Sequence, residues 1–161
     1  MKSFLKYWLP VLIWLGVIFV NSSSAMSAEH TSRHVLPFLL WLKPGMSPQA
    51  IWISLVFVRK SAHVIEYTVL ALLLWRALRS VSLLRPHTLI AFGAALLGST
   101  LFAASDEFHQ TFVKSRTPSV RDVLLDVTGA LLGLLIGASF ARRHPEKFRA
   151  TTHNQVVDAQ L

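Results

Sequence analysis

Four apolar runs constrain this chain more than any other feature: each approaches the ~20 residues that a helix needs to cross a bilayer core about 30 Å thick. They are Tyr7 to Val20, Ser61 to Leu78, His87 to Ser105 and Ser119 to Phe140. The composition agrees, with 53% hydrophobic and 15% charged residues, whereas a soluble domain carries about 25% charged residues. The expected fold is an all-α integral membrane protein, a bundle of about four transmembrane helices. Two further apolar stretches, "VLPFLLWL" and "QAIWISLVFV", are too short to span alone. They predict a short interfacial helical segment between the first and second crossings, with Trp41 and Trp52 at the headgroup level. Ser47 followed by Pro48 reads as a helix start. A helix running from there to Arg79 would exceed the bilayer, so a bend near Arg59 and Lys60 is expected. Pro10 is expected in the first turns of its helix, where it is tolerated.

The net charge of +8 does not point to nucleic acid, because the basic residues flank apolar runs instead of forming a stripe. That placement is the signature of membrane topology. With four crossings, nine of the sixteen Lys and Arg residues fall on the side of the termini and seven on the other. The expectation is a multi-pass protein of the bacterial cytoplasmic (inner) membrane with both termini inside. An alternative for the N-terminus is a secretory signal, Lys2 and Lys6 before an apolar stretch, cut near Ala25 or Ala28. Residues 1–141 read as one transmembrane domain and residues 142–161 as a polar, flexible cytoplasmic tail. The chain has no cysteine, which removes thiolate chemistry.

The polar residues are not scattered. In this topology the outward ends of the four crossings carry Asn21 to Ser24, then Arg59, Lys60, His63 and Glu66, then Asp106, Glu107, His109 and Gln110, then Arg121, Asp122 and Asp126. His63 and Glu66 share a helix face, as do Asp106 and Gln110. Asp122, Asp126, Gly129, Gly133 and Gly137 lie on one stripe. Its two overlapping G-x-x-x-G patterns let helices approach closely in lipid, so both aspartates must point into the bundle. Intramembrane ionisable groups of this kind mark functional sites.

Plainer readings stand beside these. Ser119 and Asp122 have the spacing of a capping box. Lys114 and Arg121 fit interfacial anchors, His109 a wetted surface position, and Ser22 to Ser24 a polar helix exit. Asp106 and Glu107 resist a plain reading, because a helix C-terminus disfavours negative charge by about 0.3–1 kcal/mol. Either that helix continues past them or a cation compensates, with Arg59, Lys60 and Arg116 as the available partners.

The segments "RKSAHVIEYTVLALLLW" and "SDEFHQTFVKSRTPSVRDVLLDVTGALLG" resemble the two signatures of VanZ-like membrane proteins. These are a Lys-x-x-His-x-x-x-Tyr segment, then Asp-Glu-x-x-Gln, an Arg, and a Ser-x-x-Asp run ending in spaced glycines. The similarity covers residues 14–137. By position it implies Lys60, His63, Tyr67, Asp106, Glu107, Gln110, Arg116, Ser119, Asp122, Asp126, Gly129 and Gly133 as motif residues. "FVKSR" departs from it, lacking a Pro-Gly before the arginine. The resemblance implies a small bacterial envelope protein, and its name-giving member is linked to low-level teicoplanin resistance.

Together these readings yield a polar site near the outer membrane face that handles an anionic, lipid-linked envelope molecule. His63, Glu66, Asp106, Glu107 and Asp122 are the candidate catalytic groups. Lys60, Tyr67, Gln110, Arg116, Ser119 and Asp126 are the candidate contacts to the bound molecule, and Gly129, Gly133 and Gly137 are structural. Two alternatives remain open. One is a non-catalytic scaffold whose polar layer fixes packing. The other is a metal-dependent enzyme in which His63, Glu66, Asp106 and Glu107 supply nitrogen and oxygen ligands. No compact metal motif is present, and the sequence names no cofactor.

Overall fold

The computed structural model describes residues 2–23, 28–81, 83–84, 87–113 and 119–143. These form five helices: α1 (Lys2–Ser22), α2 (Ala28–Leu42), α3 (Pro48–Ser80), α4 (Thr88–Gln110) and α5 (Val120–Arg143). Four of them, all but α2, are long and apolar enough to cross a membrane. Large apolar side chains such as Ile13, Leu89, Leu101 and Leu124 face outward along them, as lipid-facing positions do. The chain is an all-α, multi-pass membrane protein. The N-terminal cleavage region near Ala25 and residues 144–161 of the tail lie outside the described residues.

The expected segment between the first two crossings is α2, which packs against α3. The expected bend near Arg59 and Lys60 is absent: α3 is helical without interruption for 33 residues, roughly 50 Å. The reason is local. No Gly or Pro occurs after Pro48 until the helix ends, so nothing in the sequence breaks it. Its start follows the expected signal, with Pro48 in the first turn and the Ser47 hydroxyl accepting from the Ala50 N–H at 3.3 Å. Pro10 differs from expectation because α1 begins at Lys2, which puts the proline well inside the helix. There it removes one backbone hydrogen bond to the carbonyl of Lys6.

α3 is the central element and touches each of the other four helices. Its closest partner is α5. The pairs Val64 with Gly129 and Thr68 with Gly133 share one sequence offset, so the two helices run parallel in fixed register. A side chain at Gly129 would stand 2.5 Å from the Val64 carbonyl oxygen, and one at Gly133 would meet the backbone of Thr68. Gly137 lies against the side chains of Trp75 and Leu72. The Thr68 hydroxyl donates to the Gly129 carbonyl at 2.8 Å, adding a polar tie to this contact. α4 buries its own stripe of small residues, Ala91, Ala95, Ser99 and Ala103, at steps of four. The next step of four is Glu107, also buried, and there the packing stripe becomes polar.

Gly129→Ala is expected to destabilise the detergent-solubilised protein by roughly 1–3 kcal/mol, the usual range for overpacking. Gly93→Ala, at a position with open space around it, is expected to leave the thermal unfolding midpoint unchanged or raised. Comparing the two midpoints checks the α3–α5 contact.

Candidate functional site

α1 and α4 end, and α5 begins, at the same end of the bundle, beside the second and third quarters of α3. A polar side chain there is far from bulk water on at least one side and must find partners among its neighbours. Cross-helix contacts result among the described residues. Asn21 Nδ2 donates to Glu66 Oε1 at 2.7 Å, joining α1 to α3. Gln110 Nε2 donates to the Ser22 hydroxyl at 3.1 Å and to Asp106 Oδ2 at 3.0 Å, joining α4 to α1. The Ser119 N–H donates to Glu107 Oε2 at 2.7 Å, joining α5 to α4. Lys60 pairs with Asp122 across the α3–α5 contact. His63 Nδ1 stands 3.3 Å from Asp126 Oδ1 across the same contact, close enough for an ion pair though not aligned for a hydrogen bond.

Glu107 resolves the puzzle of acidic residues at a helix C-terminus. α4 does end just beyond it, at Gln110, and among the described residues no cation compensates it. The compensation is the backbone N–H at the start of α5, where the partial positive charge of a helix N-terminus favours a carboxylate. The same contact displaces the capping box. Asp122 does not reach back to the Ser119 N–H; Glu107 occupies that donor from another helix, which frees Asp122 for Lys60. Ser119 still caps α5, its hydroxyl accepting from the Arg121 N–H at 3.2 Å.

Other residues land differently from their plain readings. Ser22 is buried, 4% exposed, and is part of the network. The His109 ring is partly exposed and packs on Phe19 at 5.1 Å between centroids. Tyr67 is fully buried, and its hydroxyl has no partner among the described residues. Asp126 is also fully buried, out of reach of a molecule bound at the surface. Arg116 and Lys114 lie outside the described residues. Trp14 was not expected here at all. Its indole N–H donates to the Glu66 carbonyl at 2.9 Å, next to the Asn21 bond. The signal that finds it is spacing: Trp14 and Asn21 are seven residues apart, on one face of an otherwise apolar helix.

Beside this network lies a cavity of about 160 Å³ lined by Val56, Arg59, Lys60, His63 and Asp122. Val56, Arg59, Lys60 and His63 follow helical spacing on one face of α3, and Asp122 closes the cavity from the first turn of α5. Arg59 is half-buried and has no ion-pair or hydrogen-bond partner among the described residues, whereas Lys60 already holds Asp122. With Nδ1 turned to Asp126, the edge of His63 left for the cavity is the Nε2 side. The arrangement suits an oxyanion: a guanidinium for bidentate contact, an ammonium, and a histidine oriented from behind by a carboxylate. Among the described residues no three His, Cys, Asp or Glu side chains are grouped as metal ligands.

A family model described as VanZ/LLP1 matches residues 7–141 of the chain. No curated protein matches, and no solved structure matches.

Two contacts separate by energy. The Lys60 side chain is 49% exposed, so a Lys60/Asp122 double-mutant cycle is expected to give a coupling of about 0–1 kcal/mol. Glu107→Ala orphans a helix-terminal donor and is expected to cost about 1–3 kcal/mol. Thermal unfolding of the purified variants checks both.

Proposed function

The chain belongs to the VanZ/LLP1 family, and from that premise we propose that it acts in the bacterial cell envelope, at a polar site that receives an anionic, lipid-linked molecule. The observation that carries this reading is the half-buried Arg59, without a partner among the described residues, beside Lys60 and His63 in one cavity. A cation removed from water without a counter-charge is costly. A site that keeps one is built for an anion that arrives from outside the protein. In this reading the polar end faces outward and both termini lie in the cytoplasm, in the inner membrane, as the distribution of Lys and Arg favours. Teicoplanin susceptibility is the finer form of the proposal, and it rests on the resemblance to the name-giving member.

The candidate residues divide into three groups. Arg59 and Lys60, with Arg116 expected from the sequence, hold the anion. His63, with Asp122 in the cavity wall, is positioned for acid–base work. Glu66, Asp106 and Glu107 are engaged by Asn21, Gln110 and the Ser119 N–H, which makes them organisers of the helix ends. Asp126 serves through His63 and Tyr67 through the core, without touching the bound molecule.

The scaffold reading has one observation in its favour: most of these polar contacts tie one helix to another. The two readings separate by what a mutation changes first. In cells that lack the native copy, Arg59→Gln is expected to leave the amount of protein in the membrane unchanged. Function in an envelope-stress or teicoplanin-susceptibility assay is expected to fall to that of cells with no copy. Full function of Arg59→Gln contradicts the anion site. Loss of the protein itself in step with function favours the scaffold.

A further inference from the structure

With His63 neutral, the four charged groups nearest the cavity balance among the described residues, Arg59 and Lys60 positive, Asp122 and Asp126 negative, and Glu66, one turn from His63 on α3, adds a further carboxylate. An added oxyanion would leave a net negative charge in a site bounded by Val56 and the packed α3–α5 contact, and such a charge is costly unless paired. One group in the cavity can change its charge near neutral pH, and that is His63. The groups that face it come from every element packed against it, and the bonds that Glu66, Asp106 and Glu107 accept from neutral donors leave their charges in place. On its own helix, Lys60 pairs with Asp122 of α5, and Glu66 accepts from Asn21 of α1. On α4, Glu107 accepts from the Ser119 N–H and Asp106 from Gln110. On α5, Asp126 is fully buried, and neither of its oxygens accepts a hydrogen bond among the described residues. Its sole close charge partner among them is His63 Nδ1.

We infer that the cavity binds a phosphate-type oxyanion together with a proton, which adds to His63 Nε2 while Asp126 holds the other ring nitrogen. The proton comes from solvent, and no bond in the ligand breaks. Binding then adds one negative and one positive charge, and the net charge of the site is unchanged. The inference rests on the anion-binding reading of the same cavity. It makes Asp126 a positioning residue, which sets the orientation of His63 and supplies the charge that requires the proton.

The test is calorimetric titration of the purified full chain in detergent with dibutyl phosphate, a diester that stays a monoanion near neutral pH, in two buffers of different ionisation enthalpy. Protein-free micelles and Arg59→Gln serve as controls for partitioning. The expected result is uptake approaching about one proton per anion, with affinity falling as pH rises from about 6 to about 8. His63→Gln removes the group that takes up the proton and is expected to bind about tenfold or more weakly at every pH, without proton uptake. Asp126→Asn removes one negative charge and is expected to bind the diester with no proton uptake and no pH dependence; a purely structural role for Asp126 predicts general weakening instead. A parallel titration with perchlorate, a tetrahedral oxyanion that is likewise a monoanion, distinguishes the source: uptake with the diester alone assigns the site to a lipid headgroup, and equal uptake with perchlorate assigns it to a free oxyanion. Wild-type binding with the same affinity at both pH values and no proton uptake overturns the inference and leaves the anion site standing. No binding of either anion overturns both.

Discussion

The backbone contact between α3 and α5 is the constraint on which the rest depends. Gly129 against Val64 and Gly133 against Thr68 leave no room for a side chain, so the two helices hold one parallel register. Given that register, the turns that follow the two helix starts are placed by geometry alone. Lys60 meets Asp122, and His63 meets Asp126. The glycine stripe that drives packing in lipid is therefore also what assembles the cavity. A shift by one helical turn would separate both pairs.

The second constraint is that polar groups removed from water require partners. The ends of α1, α4 and α5 solve it jointly. Asn21 pairs with Glu66, Ser22 with Gln110, and Glu107 Oε2 with the Ser119 N–H just ahead of α5, each across helices. Each of these groups alone would be a cost to its helix. Together they fix where the helices end, and among the described residues Arg59 is left without a partner beside the cavity. Chemistry at this site follows from what packing has not consumed.

Much of this was legible in the sequence. The number of crossings, the Ser47-Pro48 helix start and the burial of the Asp126–Gly129–Gly133–Gly137 stripe all follow from local spacing, which a single chain displays directly. The failures share one cause. Trp14 and Asn21 take their meaning from Glu66, 52 and 45 residues away, and no local pattern reports such a partner. The Ser119–Asp122 spacing satisfied a local capping rule, yet a carboxylate from α4 took the donor. The bend assigned to Arg59 and Lys60 came from bilayer thickness, an argument about length that the unbroken α3 sequence does not obey. Asp126 was placed among ligand contacts because it is acidic and intramembrane, but its depth behind His63 is a tertiary fact.

The account stands on the polar ends of separate spans sharing one side of the membrane. Because the chain has no cysteine, single cysteines at Ser23, Thr111 and Ser119, with Ser80 for the opposite end, test this directly in intact cells. A membrane-impermeant thiol reagent is expected to label the first three without permeabilisation and Ser80 only after it. Labelling that divides Ser23, Thr111 and Ser119 between the two sides would contradict the account.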